Sequence, residues 1–232
     1  MPSGKARAAD PGRSSTEAVS RVVDGIKHLI MSGELLPGQQ LRQEKMAATL
    51  GVSRLPVREG LRQLVADGLV THEHNVGFAV ARLSRSEFDQ VYLMRRLLET
   101  EILRGLPVPT ASQLARIAAL SEEIERAAAE FDLARMRALN SEFHFAIFEL
   151  SDQNLVVGEI RRIWTRALPY HSVYLHSDAG RERIVAEHRE IVAALGRGDR
   201  ERLVELMDTH RAGSEAQLDF VLQAGAARPF AG

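Results

Sequence analysis

The chain has 232 residues, 45% of them hydrophobic and 26% charged, so it can bury a core and is not disordered as a whole. It contains no cysteine, which excludes a disulfide scaffold, a thiol nucleophile and a cysteine-ligated metal. No apolar run approaches the roughly 18 residues of a membrane span, and residues 1–13 lack the apolar centre of a signal peptide. We therefore expect a cytoplasmic protein with no membrane partner.

The net charge of −1 conceals an asymmetry along the chain. Residues 1–82 hold 11 Lys and Arg against 8 Asp and Glu, whereas residues 83–232 hold 19 against 23. A small basic part followed by a larger acidic part favours a nucleic-acid-binding module that carries a second domain.

The N-terminal part predicts a winged helix-turn-helix domain over residues 14–82, preceded by a disordered arm at 1–13. Ser14 and Glu17 form a capping-box pattern that predicts the start of the first helix. Ser53 is the predicted N-cap of the third helix. The predicted helices span 14–33, 43–50 and 53–67, and the predicted strands span 69–71 and 78–80. This order is that of a helix-turn-helix with a small hairpin, or wing, behind it.

The second part predicts only helices, over residues 83–225, with a flexible tail at 226–232. Capping-box patterns at Ser84 and Thr110 open the first two. The predicted helices span 84–104, 110–130, 132–150, 154–168, 181–195 and 199–222. Six helices with short connections indicate an antiparallel bundle. The predicted fold class is therefore mainly α, a winged helix-turn-helix followed by an all-α antiparallel helical bundle.

Three arginines, Arg54, Arg58 and Arg62, recur at a spacing of four on the third helix and so share one face. A bare arginine stripe is more often a solvated surface. On the second helix of a helix-turn-helix, however, arginine is suited to guanine edges and to phosphates, so this context favours DNA binding.

Leu35–Gly38, Leu50–Glu59 and Asp67–Val70 resemble the signature of the gluconate-repressor (GntR) family of bacterial transcription regulators, a resemblance that covers residues 17–82. It implies that Arg54 and Arg58 bind operator DNA and that Gly77 permits the turn of the wing. With Arg62 and Ser53 these are the predicted DNA-binding residues. The chain departs from the family at Leu55, where Thr is common, and at Gly60, where Ala is common.

The second part contains three histidines on helices otherwise patterned for burial, His144, His188 and His210. A lone helical histidine is more often a satisfied core residue, but three on three helices could converge on one divalent ion. Imidazole nitrogens suit zinc, nickel, iron or manganese. Asn140 lies four residues before His144 and shares its helix face.

The order and spacing of these residues resemble the all-helical ligand domain (FCD) of the FadR-type branch of the GntR family, in its six-helix subgroup. The resemblance implies a metal centre formed by Asn140, His144, His188 and His210, and we expect zinc or nickel. Asn140 stands where many members have Asp, so the site carries one negative charge less and attracts anions more strongly.

The family pattern also implies that Arg95 points inward and holds the carboxylate of an effector. The alternative is an ion pair with Glu99 at i, i+4. Arg166 and Tyr170 are further candidates for the same cavity. His171 and His176 are expected at the surface.

The function predicted from these features is a homodimeric transcription regulator, and more specifically a repressor. A small carboxylate effector, bound at the metal centre, would control its binding to double-stranded operator DNA. The alternatives are a metalloenzyme, because a three-histidine metal can activate water, and a metal sensor. The chain shows no clear general base and no metalloenzyme motif, so no catalytic residues are predicted and an enzyme is not expected.

Overall fold

A computed structural model describes residues 11–170 and 178–226, with side chains from 16 to 170 and from 178 to 216. The described residues form nine α-helices and one two-stranded sheet, which confirms the predicted fold class. In chain order the elements are α1 (Pro11–Met31), α2 (Gln43–Leu50), α3 (Arg54–Ala66), β1 (Val70–Glu73), β2 (Gly77–Val80), α4 (Arg85–Arg104), α5 (Ala111–Ala129), α6 (Leu133–Phe148), α7 (Asn154–Ala167), a 3₁₀ turn (Leu168–Tyr170), α8 (Asp178–Arg197) and α9 (Arg200–Ala226).

The N-terminal domain is the predicted winged helix-turn-helix. The two strands pair antiparallel, with Val70 opposite Val80 and Glu73 opposite Gly77. One boundary prediction is wrong, because α1 begins at Pro11 and Ser14 therefore lies inside the helix. The fixed φ of proline is suited to the first helical turn, so the start lies earlier than the capping-box pattern indicates. Residues 11–13, predicted as part of the arm, are helical.

The core of this domain lies between α1 and α3, where Val22 and Ile26 pack with Val57 and Leu61. Gly60 lies at the crossing of the two helices. A Cβ built on Gly60 would be 2.6 Å from Cγ1 of Val22, a separation that real contacts do not reach. Glycine at position 60, where alanine is common in the family, therefore lets α1 approach α3 closely.

The second domain is an all-helical bundle in which α4 packs with α7 and α9, α5 packs with α6 and α8, and α8 packs with α9. The predicted capping boxes at Ser84 and Thr110 are present. Two helices are longer than predicted, since α8 begins at Asp178 and α9 continues to Ala226. The core is rich in aromatic side chains, including Phe88, Phe143 and Phe148.

The two domains meet at the 3₁₀ turn that follows α7. The backbone N–H of Leu83, in the linker, donates a hydrogen bond of 2.6 Å to Oη of Tyr170. Leu168 packs against the core of the N-terminal domain. Within the described ranges, no helix combines the length and the apolar character needed to cross a bilayer.

We predict that Gly60→Ala destabilises the protein by about 1–3 kcal/mol, the usual cost of overpacking, because Val22 is β-branched and cannot turn away freely. The control is Gly158→Ala in α7, where a Cβ meets nothing within 4 Å. That substitution should stabilise the protein by about 0.4–1 kcal/mol through the entropy of the unfolded chain. Denaturant unfolding measures both, and equal stabilisation by the two substitutions would contradict the close approach.

Candidate metal centre and DNA-binding surface

Three buried imidazoles meet inside the helical domain, on three different helices. His144 lies on α6, His188 on α8 and His210 on α9, and each is at most 6% exposed. Nε2 of His144 is 3.1 Å from Nε2 of His210, and one ring nitrogen from each of the three lies within 4.8 Å of the others. The predicted convergence of the three histidines is therefore present in the structure.

The chemistry of His188 fits a metal ligand. Neither of its ring nitrogens has a hydrogen-bond partner, although the residue is completely buried. Burial, with a smaller contribution from His210, holds the pKa of His188 well below its usual range, so the ring is neutral. An unsatisfied buried polar group is unfavourable, and a metal ion would satisfy one.

The separation of the other two rings fits as well. Two nitrogens bound at about 2.1 Å to one ion are about 3.0 Å apart at a right angle and about 3.4 Å apart at the tetrahedral angle. The Nε2 atoms of His144 and His210 are 3.1 Å apart, which lies between these values and is also a hydrogen-bond distance for the two rings without an ion. The three residues can therefore hold one divalent transition metal.

A second layer of side chains orients His210. Its Nδ1 lies 2.6 Å from Oε2 of Glu187, and Nη1 of Arg183 donates to both oxygens of that carboxylate at 2.8 and 2.9 Å. Burial raises the pKa of Glu187, but the hydrogen bonds and charges of His210 and Arg183 outweigh burial and lower it. With Nδ1 held by a carboxylate, Nε2 is left to face the ion.

Neither Glu187 nor Arg183 is among the site residues predicted from the sequence. Their i, i+4 spacing on α8 is a detectable signal, but an ion pair at this spacing is usually a surface feature. The guanidinium of Arg183 lies against Gly213 of α9, where a Cβ would collide with it. That contact crosses from α8 to α9 and has no local sequence signature.

Asn140, the fourth predicted ligand, lies one turn before His144 and is 8% exposed. Its side chain lines a groove between the two domains, together with Lys27 and Trp164. Its role as a metal ligand stays a prediction.

Arg95 is buried and paired with Glu99, which is the alternative stated for it above. Its Nε donates to Oε1 of Glu99 at 2.8 Å, and its guanidinium lies 4.2 Å from the centre of the Trp164 ring. Glu99 also accepts hydrogen bonds of 2.7 Å from Trp164 and from Arg211. The pair is therefore part of a buried network that joins α4, α7 and α9.

This network is adjacent to the imidazoles, because the ring of Trp164 is 5.1 Å from that of His144. Burial by itself raises the pKa of the Glu99 carboxyl, but the charges of Arg95 and Arg211 and the hydrogen bonds from Arg95 and Trp164 lower it overall. Glu99 is thus ionised inside the protein.

Arg166 and Tyr170, the further candidates for the effector cavity, lie at the junction of the two domains. A Cβ on Gly68 would be 2.8 Å from Nε of Arg166, so this exposed side chain packs over the DNA-binding domain. Tyr170 bonds to the linker at Leu83. Arg166 lies in the last turn of α7, and Tyr170 lies in the 3₁₀ turn that follows it. His171 and His176 lie outside the described residues.

The predicted DNA-binding arginines share an exposed face of α3. Arg54 forms an ion pair of 3.0 Å with Glu44, and both Arg58 and Arg62 contact Glu59, at 3.5 and 3.4 Å. All of these side chains are more than 40% exposed, so water screens the pairs. The arginines therefore remain accessible to a partner.

Ser53 and Gly77 complete this surface. Ser53 occupies the N-cap position of α3 in extended backbone, but its hydroxyl forms no capping hydrogen bond. Gly77 has a φ of 96°, in the region that favours glycine, where the wing turns into β2.

Comparison with known proteins gives matches over both domains. Residues 18–80 match the bacterial regulatory proteins of the gntR family, and residues 90–213 match the FCD domain. The regulator McbR of Escherichia coli K12 is 28% identical over 198 residues, which are 82% of this chain and 89% of McbR. The repressor GlaR of the same organism is 27% identical over 194 residues, 80% of this chain and 88% of GlaR.

Solved structures have the same fold. That of E. coli McbR/YncC superposes with a TM-score of 0.77 at 24% identity and covers 90% of this chain and 98% of its own. A GntR-type protein of Rhodococcus sp. RHA1 gives 0.74 at 28% identity, covering 90% and 99%. The relatives named here are described as transcription regulators, not as enzymes.

We predict that Glu99→Gln destabilises the protein by about 3 kcal/mol or more, because it leaves two buried arginines without their counter-charge. Glu122→Gln is the control, since Glu122 forms only an exposed i, i+4 pair with Arg126. Urea unfolding of the three proteins at neutral pH measures the difference, and a Glu99→Gln protein as stable as the control would contradict the role of this carboxylate.

The same carboxylate predicts a pH dependence. A lowered pKa in the folded state means that Glu99 contributes its full stabilisation above the pKa of the unfolded chain and loses it as the pH falls through its folded pKa. Unfolding curves across the acid range should therefore converge for wild type and Glu99→Gln. Curves that keep a constant separation to the most acid pH would contradict this.

Proposed function

The chain belongs to the gntR family of bacterial transcription regulators and carries an FCD domain, and from this premise we propose that it is a homodimeric, effector-controlled repressor. The proposal rests on one observation: α7 contacts the buried imidazole cluster through Trp164, and the turn after it contacts the domain that presents the arginine face through Leu168. The family assignment covers regulation and DNA binding, and GlaR is a relative named as a repressor.

For DNA binding, we propose that α3 enters the major groove with Arg54, Arg58 and Arg62 facing the bases and phosphates. The ion pairs with Glu44 and Glu59 are exposed and worth about 0–1 kcal/mol each, so phosphate or guanine can replace them. The hydroxyl of Ser53, which forms no capping hydrogen bond, is available to a phosphate of the DNA backbone. Two copies of the chain would present two such helices to a pseudo-palindrome.

For the metal, we propose that His144, His188 and His210 hold one divalent ion, zinc or nickel. When bound, the ion supplies a cationic centre for a carboxylate effector. Glu187 fixes the orientation of His210, and Arg183 fixes Glu187. Arg95 can join an effector carboxylate only by sharing its guanidinium with Glu99, which already occupies Nε.

For the coupling, we propose that α7 transmits a change at the effector site to the DNA-binding domain. Trp164 contacts His144 and donates to Glu99, and one turn later Leu168 packs against the core of the DNA-binding domain. Tyr170 holds the linker through Leu83. An effector that binds one arrangement of the imidazoles better than another therefore also selects a position of the DNA-binding domain.

We predict that Arg58→Ala weakens operator binding by about 1–3 kcal/mol, the scale of one good base contact. Arg126→Ala on α5 removes an equally exposed arginine elsewhere and is the control. Gel-shift titrations on the DNA upstream of the gene measure both. Unchanged affinity of the Arg58 variant would show that α3 does not read the groove.

We predict that the protein incubated with zinc or nickel retains about one ion per chain after desalting, because three imidazoles converge on one point. A His188→Ala, His210→Ala double variant should lose the ion, whereas the exposed pair His28→Ala, His74→Ala should keep it. Metal analysis gives the result, and wild type that retains no ion would reduce the cluster to core packing. Operator binding that responds to the ion alone would favour the metal sensor.

A further inference from the structure

Leu55 is an exposed leucine at the start of α3, the helix proposed above to enter the major groove. Its side chain belongs to a residue that is 57% exposed, whereas Val57, Leu61 and Leu64 on the same helix are completely buried. Leu55 is not part of the hydrophobic core of the winged helix-turn-helix domain. None of the functions described above uses its side chain.

Leu55 lies on the same face of α3 as two of the three arginines. It precedes Arg58 by three residues and Arg62 by seven, and residues at these spacings share one side of a helix. The side chains of Arg58 and Arg62 are 49% and 63% exposed. Isolated exposed leucines are common on protein surfaces, but this one lies within the face that carries the cations.

The position of Leu55 along α3 places it near bases. It lies in the first turn of the helix, between the N-cap residue Ser53 and Pro56, whose ring fixes φ at that residue. In helix-turn-helix proteins the N-terminal residues of the recognition helix contact base edges. A side chain in this turn is therefore directed at bases as well as at the sugar-phosphate backbone.

The leucine side chain has no hydrogen-bond donor or acceptor, so it can distinguish base pairs only by their apolar groups. In the major groove thymine displays such a group, its C5 methyl, beside the donors and acceptors of the base edges. Leucine pressed against a polar edge would remove water from groups that it cannot satisfy, which is unfavourable. Against the methyl group of thymine it would bury apolar surface on both sides, which is favourable.

We propose that Leu55 is a specificity-determining residue that selects thymine at one position in each half-site of the operator, by contact with the C5 methyl group. The arginines of the same face contact phosphates and guanines, and Leu55 adds a preference that cations do not supply. Leu55 stands where threonine is common in the family, and unlike threonine it offers no hydroxyl to a polar base edge. The inference rests on the proposed function, because it requires that α3 enters the major groove.

The first test deletes the methyl group from the DNA and leaves the protein unchanged. Selection from a randomised DNA duplex library with the full chain identifies the bound half-sites. We expect an enriched thymine in each half-site whose replacement by uracil, which lacks only the methyl group, weakens binding about fourfold, the value for one buried methyl group. If no thymine of the selected site loses affinity on replacement by uracil, the proposal is overturned.

Variants then assign the methyl contact to Leu55. Leu55→Ser removes the apolar surface, so it should bind the thymine and uracil duplexes equally and no longer enrich that thymine. Leu55→Met keeps an apolar side chain of similar volume and should keep the preference. Leu155→Ser is the matched control and should also keep it, since Leu155 is 88% exposed in the first turn of α7, in the other domain. A Leu55→Ser protein that distinguishes thymine from uracil as wild type does overturns the proposal.

Arg58→Ala separates this inference from the assignment of α3 to the major groove. We expect it to weaken binding to the thymine and uracil duplexes alike, so that the fourfold ratio between them is kept. If Arg58→Ala weakens binding but wild type binds the two duplexes equally, the role of Leu55 is wrong and the proposed function stands. If wild type enriches no site and Arg58→Ala binds DNA as wild type does, both are overturned.

Discussion

The carboxylate of Glu99 lies where three helices of the FCD domain meet, and the positions of all three depend on it. It accepts hydrogen bonds from Arg95 on α4, Trp164 on α7 and Arg211 on α9. A buried charge is unfavourable unless it is paired and hydrogen-bonded, so this one acid requires all three donors. The network therefore favours arrangements of the bundle in which the three helices keep these contacts.

The imidazole cluster depends on the same constraint. Arg211 directly follows His210, and Trp164 contacts the ring of His144, so two of the three histidines are positioned by residues that bind Glu99. His188 is positioned by packing instead, with its ring 4.2 Å from that of Phe143. The 3₁₀ turn directly after α7 carries Leu168 and Tyr170, so the position of α7 also determines the junction with the DNA-binding domain. One buried acid therefore orients both the candidate metal centre and the joint between domains.

The features that could be predicted from the sequence are those set by neighbours along the chain. The capping boxes at Ser84 and Thr110 and the arginine spacing on α3 each lie within a few residues, and the structure contains all of them. The convergence of the histidines was predictable only through resemblance to a family, since they lie on separate helices. The pairing of Glu99 with Arg211, 112 residues apart, has no local pattern. Nor does the packing of Arg166 over Gly68, which depends on how the two domains are placed.

Among the described residues, the groups that could hold an ion together are three imidazoles, with no thiolate or carboxylate in the group. Imidazoles bind metals as neutral groups, so the ion keeps its full double charge except for the influence of Glu187 in the outer layer. An acid bound there would raise the affinity for the ion, and by thermodynamic reciprocity the ion would raise the affinity for the acid by the same factor. The sensitivity of the regulator to its effector would then vary with the metal supply of the cell. Because the chain contains no cysteine, none of its own thiolates can join or leave the ion when the redox state changes.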